Sequence, residues 1–201
     1  MLSNGDKCNK KKGLQALSDS RASETIKSIN VDRCVRIGHS ALLAMAQMRN
    51  IETLTLSNCP NLTTEGMAAI AKSCSMLQYI CLNESGRCVT VDMVVALNPL
   101  FQTLRHIDLS GCNIGRSALA QLTYYKQLNH LNLSGCNGVD DDSILVFCEG
   151  EFNPGIRHLY LDKCAKVTNL SLTWISDGLK YKVKRESSEV TLETLSFKDT
   201  K

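Results

Sequence analysis

One spacing of apolar residues organises the chain. The pattern apolar-x-x-apolar-x-apolar returns at Ile26/Ile29/Val31, Ile51/Leu54/Leu56, Leu77/Ile80/Leu82, Leu104/Ile107/Leu109, Leu128/Leu131/Leu133, Ile156/Leu159/Leu161 and Leu192/Leu195/Phe197. The first six units start at positions 26, 51, 77, 104, 128 and 156, a nearly constant step of the kind that stacked repeats produce. Each unit predicts a short strand whose three apolar positions point into the stack while the residues between them point out. After each strand come apolar residues at helical spacing: Leu42, Leu43, Met45 and Met48; Met67, Ile70 and Ala71; Met93, Val94 and Leu97; Leu119 and Leu122; Ile144, Leu145 and Phe147; Leu170, Leu172, Trp174 and Ile175. Thr63, Thr90, Asp140 and Thr168 stand near the starts of these helices, where a short polar side chain accepts from orphan backbone N–H groups. The expected fold is an α/β solenoid, a horseshoe arc with about seven parallel strands on the concave face and helices on the convex face. No unit buries its apolar edge alone, so the stack folds as one object.

Three residues after the last apolar position, five units place a cysteine: Cys34, Cys59, Cys112, Cys136 and Cys164. Ser85 stands in its place in the third unit. The LxxLxLxxC wording, as in LRHIDLSGCNIG (104–115) and LNHLNLSGCNGVDD (128–141), resembles the cysteine-containing class of leucine-rich repeat. That class is found in the substrate-binding arms of F-box ubiquitin-ligase subunits and in small adaptor proteins. The resemblance runs from about Glu24 to Lys201 and implies a protein-binding solenoid. It implies an F-box only if a three-helix segment precedes the repeats, and residues 1–25 lack that pattern. The domain reading is a tail and short cap over 1–25, in which Leu14 and Leu17 face inward on one helix, followed by a repeat domain over 26–201.

Aligned strands turn spaced letters into rows on the inner face. The residue before the second apolar position gives Ser28, Thr53, Tyr79, His106, His130, His158 and Thr194. The residue after it gives Asn30, Thr55, Cys81, Asp108, Asn132, Tyr160 and Ser196. The next exposed position gives Asp32, Ser57, Asn83, Ser110, Ser134, Asp162 and Lys198. Three of the protein's 4 histidines thus share one row. One reading is a protein-contact patch of Tyr79, His106, Asp108, His130, Asn132, His158, Tyr160 and Asp162, whose aromatic and imidazole groups make anchors with few rotamers to freeze. Another is a shared zinc or copper ion, against which stands the parallel projection of side chains from one sheet. A third is histidine as a tolerated polar residue at this repeat position.

Composition narrows the function classes. A net charge of +3 with mixed signs lacks the clustered basic face that bare nucleic acid requires. Lys10–Lys12 form one small basic run, and Lys180, Lys182, Lys184 and Arg185 form another. The first twenty residues contain no apolar stretch of signal-peptide length, and no run is long enough to span a membrane. The expectation is an intracellular protein, cytoplasmic or nuclear. Its cysteines are then small buried thiols in a reducing compartment, although neighbouring strands bring them within bridging distance. Asp140–Asp142 are expected at a helix start because the positive end of the peptide dipole stabilises them. They lack the spacing of a calcium loop. No phosphate loop, G-x-S-x-G elbow or HExxH is present. Cys81 near His106 and Asp108 has the elements of a thiol nucleophile and base, but a flat sheet excludes no water. No catalytic residue, cofactor or metal is assigned.

The last step, from Ile156 to Leu192, is longer than the others, and the excess falls at DGLKYKVKRESSEV (177–190). It predicts either a projecting loop, a natural place for contacts by Lys180, Lys182, Lys184 and Arg185, or a longer last helix. The strand LETLSFKDTK that follows presents an edge that charges guard or a partner covers. The function expected is a non-enzymatic adaptor or scaffold, a subunit or assembly factor of a larger intracellular complex, that meets proteins through the concave face and the last strand. The alternative is the substrate-recognition module of an SCF-type ubiquitin ligase.

Overall fold

The structure, a computed structural model, describes residues 10–150, 155–186 and 192–200, with 10–12 and 178–186 as backbone alone. Seven strands, β1 (Ser28–Asn30), β2 (Thr53–Thr55), β3 (Tyr79–Cys81), β4 (His106–Asp108), β5 (His130–Asn132), β6 (His158–Tyr160) and β7 (Thr194–Ser196), form one parallel sheet in chain order. The middle apolar residues Ile29, Leu54, Ile80, Ile107, Leu131, Leu159 and Leu195 lie side by side. A one-residue slip would turn these residues to solvent, so the buried face holds the register.

Helices α1 (Lys10–Ser18), α2 (His39–Ala46), α3 (Thr64–Ser73), α4 (Val91–Ala96), α5 (Arg116–Leu122), α6 (Asp141–Glu149) and α7 (Asn169–Glu186) pack each on the next along the other face. Between the layers runs one continuous core, in which Leu54, Leu77, Ile80, Leu104, Leu128, Leu131 and Leu133 are fully buried. At the last strand Leu192, Leu195 and Phe197 are only partly buried against it.

The cysteine column ties successive units together. Cys59 Sγ donates to the Val31 carbonyl at 3.4 Å, Cys112 to Leu82 at 3.2 Å, Cys136 to Leu109 at 3.1 Å and Cys164 to Leu133 at 3.2 Å. In every case the acceptor is the third apolar residue of the preceding unit. Ser85 does the same with its hydroxyl, reaching the Leu56 carbonyl at 3.0 Å. Burial pushes the thiols up, Cys59 to about 11 and Cys112 to about 12, so they stay protonated and able to donate.

Just before this position the backbone turns through the left-handed region in every unit, at Arg33, Asn58, Glu84, Gly111, Gly135, Lys163 and Asp199. Only two units use the residue best suited to it. Further on, Gly115 and Gly138 of neighbouring units form a β-bridge so close that a Cβ on Gly138 would strike the Ile114 carbonyl.

The expected caps are present, with one exception. Thr63 accepts from the Gly66 N–H at 3.2 Å, Asp140 forms a capping box with Ser143, and Thr168 accepts from the Leu170 N–H at 3.2 Å. Thr90 sits at the N-cap of α4 without a side-chain bond. One expectation is corrected. Leu14 is buried but Leu17 is exposed, so α1 does not present the expected two-residue inward face. Of the two forms expected for the extra residues at 177–190, a projecting loop or a longer last helix, the described part through Lys180, Lys182, Lys184 and Arg185 takes the second. Their backbone continues α7 to Glu186, because nothing in KYKVKRE breaks a helix, while 187–190 fall outside the described residues.

Candidate protein-binding face

The open face of the sheet carries a ladder of rings. Register places Tyr79, His106, His130 and His158 on four adjacent strands. Parallel strands stand about 4.8 Å apart, so ring side chains in one row meet face to face. Tyr79 stacks on His106 at 4.2 Å between centroids and His106 on His130 at 3.9 Å. His130 then meets His158 at 5.0 Å and Tyr160 of the next row at 5.1 Å, both tilted. Beyond the stack, His158 Nδ1 lies 3.1 Å from Thr194 Oγ1.

The ladder is partly withdrawn from water, which sets its charge. Burial pushes His106 down to about 4, the nearby His130 and His158 push the same way, and Asp108 opposes them. His130 is lowered as well, first by burial and then by His158. At neutral pH these two rings are uncharged and each offers one donor and one acceptor at its edge.

The second and third rows divide between surface and scaffold. Asp108 Oδ1 accepts from the Ser110 N–H at 3.0 Å and its hydroxyl at 2.7 Å, and Asn132 Oδ1 accepts from the Ser134 N–H at 3.0 Å. These bonds shape the turn at the strand exit. Asp162 joins β6 to β7, accepting from Ser196 Oγ at 2.7 Å and from the Lys198 N–H at 2.6 Å. Burial raises its carboxyl, but those bonds outweigh it and the net shift is downward. Cys81 and Ser57, expected at exposed positions, are buried and lie 3.3 Å apart. Small side chains on a closely spaced sheet are covered by larger neighbours. Burial also pushes the Cys81 thiol up, away from the thiolate a nucleophile needs.

The repeat also carries a likeness to known proteins. The Leucine Rich repeat family model matches residues 47–71 and 102–120. The chain folds as a leucine-rich-repeat protein. The tropomodulin C-terminal domain of Caenorhabditis elegans is similar at 11% identity and TM-score 0.49, over 90% of this chain and 95% of that one. Leiomodin-1 actin-binding site 2 is similar at 11% identity and TM-score 0.42, over 92% and 96%. A chain of the yeast Rad7 and Elc1 complex is similar at 14% identity and TM-score 0.44, over 88% and 69%. No curated protein sequence matches.

Within this leucine-rich-repeat sheet the planes of His106 and His130 lie 18° apart, while His158 is tilted by 39° from His130. Among the described residues no group of three His, Cys, Asp or Glu is placed to hold a metal ion. The side chains of Lys180, Lys182, Lys184 and Arg185 lie outside the described residues. A margin of the face went unread in the sequence. Just ahead of each strand stand Lys27, Glu52, Gln78, Arg105, Asn129, Arg157 and Glu193, and ion pairs along this line join Lys27 to Glu52 at 2.8 Å and Arg157 to Glu193 at 3.1 Å. The repeated dipeptide Arg105-His106 and Arg157-His158 was the signal available for it.

Proposed function

We propose that the chain is a non-enzymatic scaffold that holds a protein partner on its concave face within a larger intracellular assembly. Leucine-rich repeats form a protein-interaction fold, and the observation that carries the reading is the ring ladder Tyr79–His106–His130–His158 with Tyr160 beside it. Pre-stacked rings have little rotamer freedom left to lose on binding, which is what makes aromatic groups effective anchors. Asp108, Asn132 and Asp162 hold the turns and strands that frame the ladder, and as polar side chains beside it they suit the rim of such a site.

Two further contacts belong to the same reading. The outer edge of β7, beside the half-buried Leu192, Leu195 and Phe197, suits a partner that adds a strand or covers the end of the stack. The basic run Lys180, Lys182, Lys184 and Arg185 rides on the end of α7. The buried thiol column, whose members donate as thiols, fits a reducing compartment.

Affinity purification with mass spectrometry tests this, comparing the native chain with one in which Tyr79, His106, His130 and His158 are all alanine. The expected outcome is loss of the specifically retained proteins from the variant. Full retention would acquit the concave face.

A further inference from the structure

The molecule contains its own example of how this face holds a carboxylate. Ahead of β6 and β7, Glu193 reaches back to two groups of the neighbouring unit. Its Oε1 lies 3.1 Å from Arg157 Nη1 and its Oε2 3.5 Å from His158 Nε2. An arginine at the margin and the imidazole next to it thus receive the two oxygens of one acidic side chain from the following strand.

Two strands earlier the receiving pair recurs without its acid. Arg105 and His106 occupy the positions of Arg157 and His158, since His106 aligns with His130 and His130 with His158. The residue matching Glu193 is Asn129. The backbone shows the equivalence: the Asn129 N–H donates to the Arg105 carbonyl at 3.0 Å as the Glu193 N–H donates to that of Arg157 at 2.7 Å. On the other side the neighbour is the neutral Gln78, whose carbonyl accepts from the Arg105 N–H. Among the described residues Arg105 is exposed with no ion-pair partner, and neither ring nitrogen of His106 is hydrogen-bonded.

We propose that Arg105 and His106 form a carboxylate-binding site for an acidic side chain on the protein partner. The inference rests on the concave-face reading and narrows it to an acidic segment laid over β3 to β5. A free carboxylate would gain too little at so open a site, because water screens an exposed ion pair. The remaining affinity comes from the stacked rings of Tyr79 and His130 on either side of His106. The acid on the segment meets Arg105 and the His106 edge as Glu193 meets Arg157 and His158, while the adjoining residues cover the rings.

A displayed library of random peptides, selected on the full chain, tests the proposal. Two variants decide it: Arg105→Glu reverses the charge, and Asn129→Glu places the internal acid where Glu193 stands one pair further on. Asn129→Glu also serves as the folding control, since it adds an ion pair of a kind the molecule already makes. The expected result is enrichment of peptides carrying Asp or Glu at a fixed position, binding at least about tenfold more weakly to either variant and resisting competition by free glutamate. Enrichment of peptides that need the rings but carry no acid, or that bind Asn129→Glu as well as the native chain, would overturn this site and leave the concave face standing. Peptides indifferent to alanine at Tyr79, His106, His130 and His158 would overturn both. Full displacement by free glutamate, or no enrichment at all, would overturn the acidic-segment partner.

Discussion

Single positions in this chain are governed by how closely the units approach and by how much water they exclude. Gly135 and Gly138 lie three residues apart yet answer to different constraints. Gly135 sits at φ 71° with nothing nearer than 3.7 Å to the place an added Cβ would take, so Gly135→Ala suffers only the left-handed backbone, about 1–2 kcal/mol. Gly138 has an ordinary φ but faces the Ile114 carbonyl across the β-bridge, and Gly138→Ala forces two backbones apart, about 1–3 kcal/mol of overpacking. Urea denaturation of both variants should find each destabilised, and only Gly138→Ala should lose amide protection at the 115–138 bridge. His106 makes the second prediction at this scale. Its pKa in the folded chain, about 4, lies below the ordinary histidine value of 6.5, so between those limits the unfolded chain binds a proton that the folded chain does not. Stability is therefore full above about pH 6.5 and declines as pH falls toward 4, with His130 contributing in the same direction. The lowered carboxyls of Asp140, Asp141 and Asp162 titrate below this window. Urea midpoints should fall between neutral and mildly acidic buffer, and His106→Gln should flatten that slope. The ring row was legible in the sequence because period-two alternation and a constant step suffice to write it. Burial of Cys81 and Ser57 was not, since it depends on the size of neighbours on adjacent strands.

Helix ends, more than helix interiors, fasten one element to the next. Asp141 is the second of three acids that the sequence places at a helix start, where the peptide dipole alone would account for them. In the structure its carboxylate leaves its own helix and caps the neighbour, accepting from the Thr168 N–H at 2.8 Å, the Thr168 hydroxyl at 2.7 Å and the Ser171 hydroxyl. Asp140 performs the cap of α6 itself through Ser143, so adjacent acids serve two helices. Asp141→Ala leaves the Thr168 N–H and the buried Ser171 hydroxyl without this acceptor. A loss of about 1–3 kcal/mol is expected, of which Asp141→Asn restores part. Hydrogen exchange locates the effect: protection should fall in the first turn of α7 and hold in α5. An unchanged first turn would show that the dipole was the whole reason for the acid. Capping by the residue's own unit could be read from spacing, as with Thr63 and Thr168, whereas capping across units could not, because it needs the offset between stacked helices. The same limit applies to α7, where apolar spacing marked Leu170 and Leu172 as core yet both are exposed and Ile175 carries the burial.

For the molecule as a whole, the constant step that made the fold readable also dictates how it comes apart. A stack of this kind has only nearest-neighbour interfaces, so stability is a sum along one dimension, and an interior unit has two interfaces where a terminal unit has one. Leu131 and Leu195 occupy the same register position, the first fully buried between β4 and β6, the second partly buried on the last strand. Removing the Leu131 side chain opens a cavity that two interfaces share, and Leu131→Ala is expected to lower stability by about 2–5 kcal/mol. Because the units on either side lose their common support, the denaturant midpoint of the entire transition should move. Leu195→Ala withdraws less buried surface and disturbs only the contact of β7 with β6, for roughly half that loss. Amides of β6 and β7 should then exchange faster while those of β2 to β4 keep the protection of the native chain. The Asp162 bonds to Ser196 and Lys198 sharpen the comparison, since they reinforce the strand ladder that holds β7 once its apolar contact is weakened. Adding Asp162→Ala to Leu195→Ala should therefore release β7 while the helices and the first five strands stay folded. If the combined variant instead unfolded in a single step at a much lower midpoint, the last unit would be a keystone of the stack, and the nearest-neighbour account of this solenoid would fail.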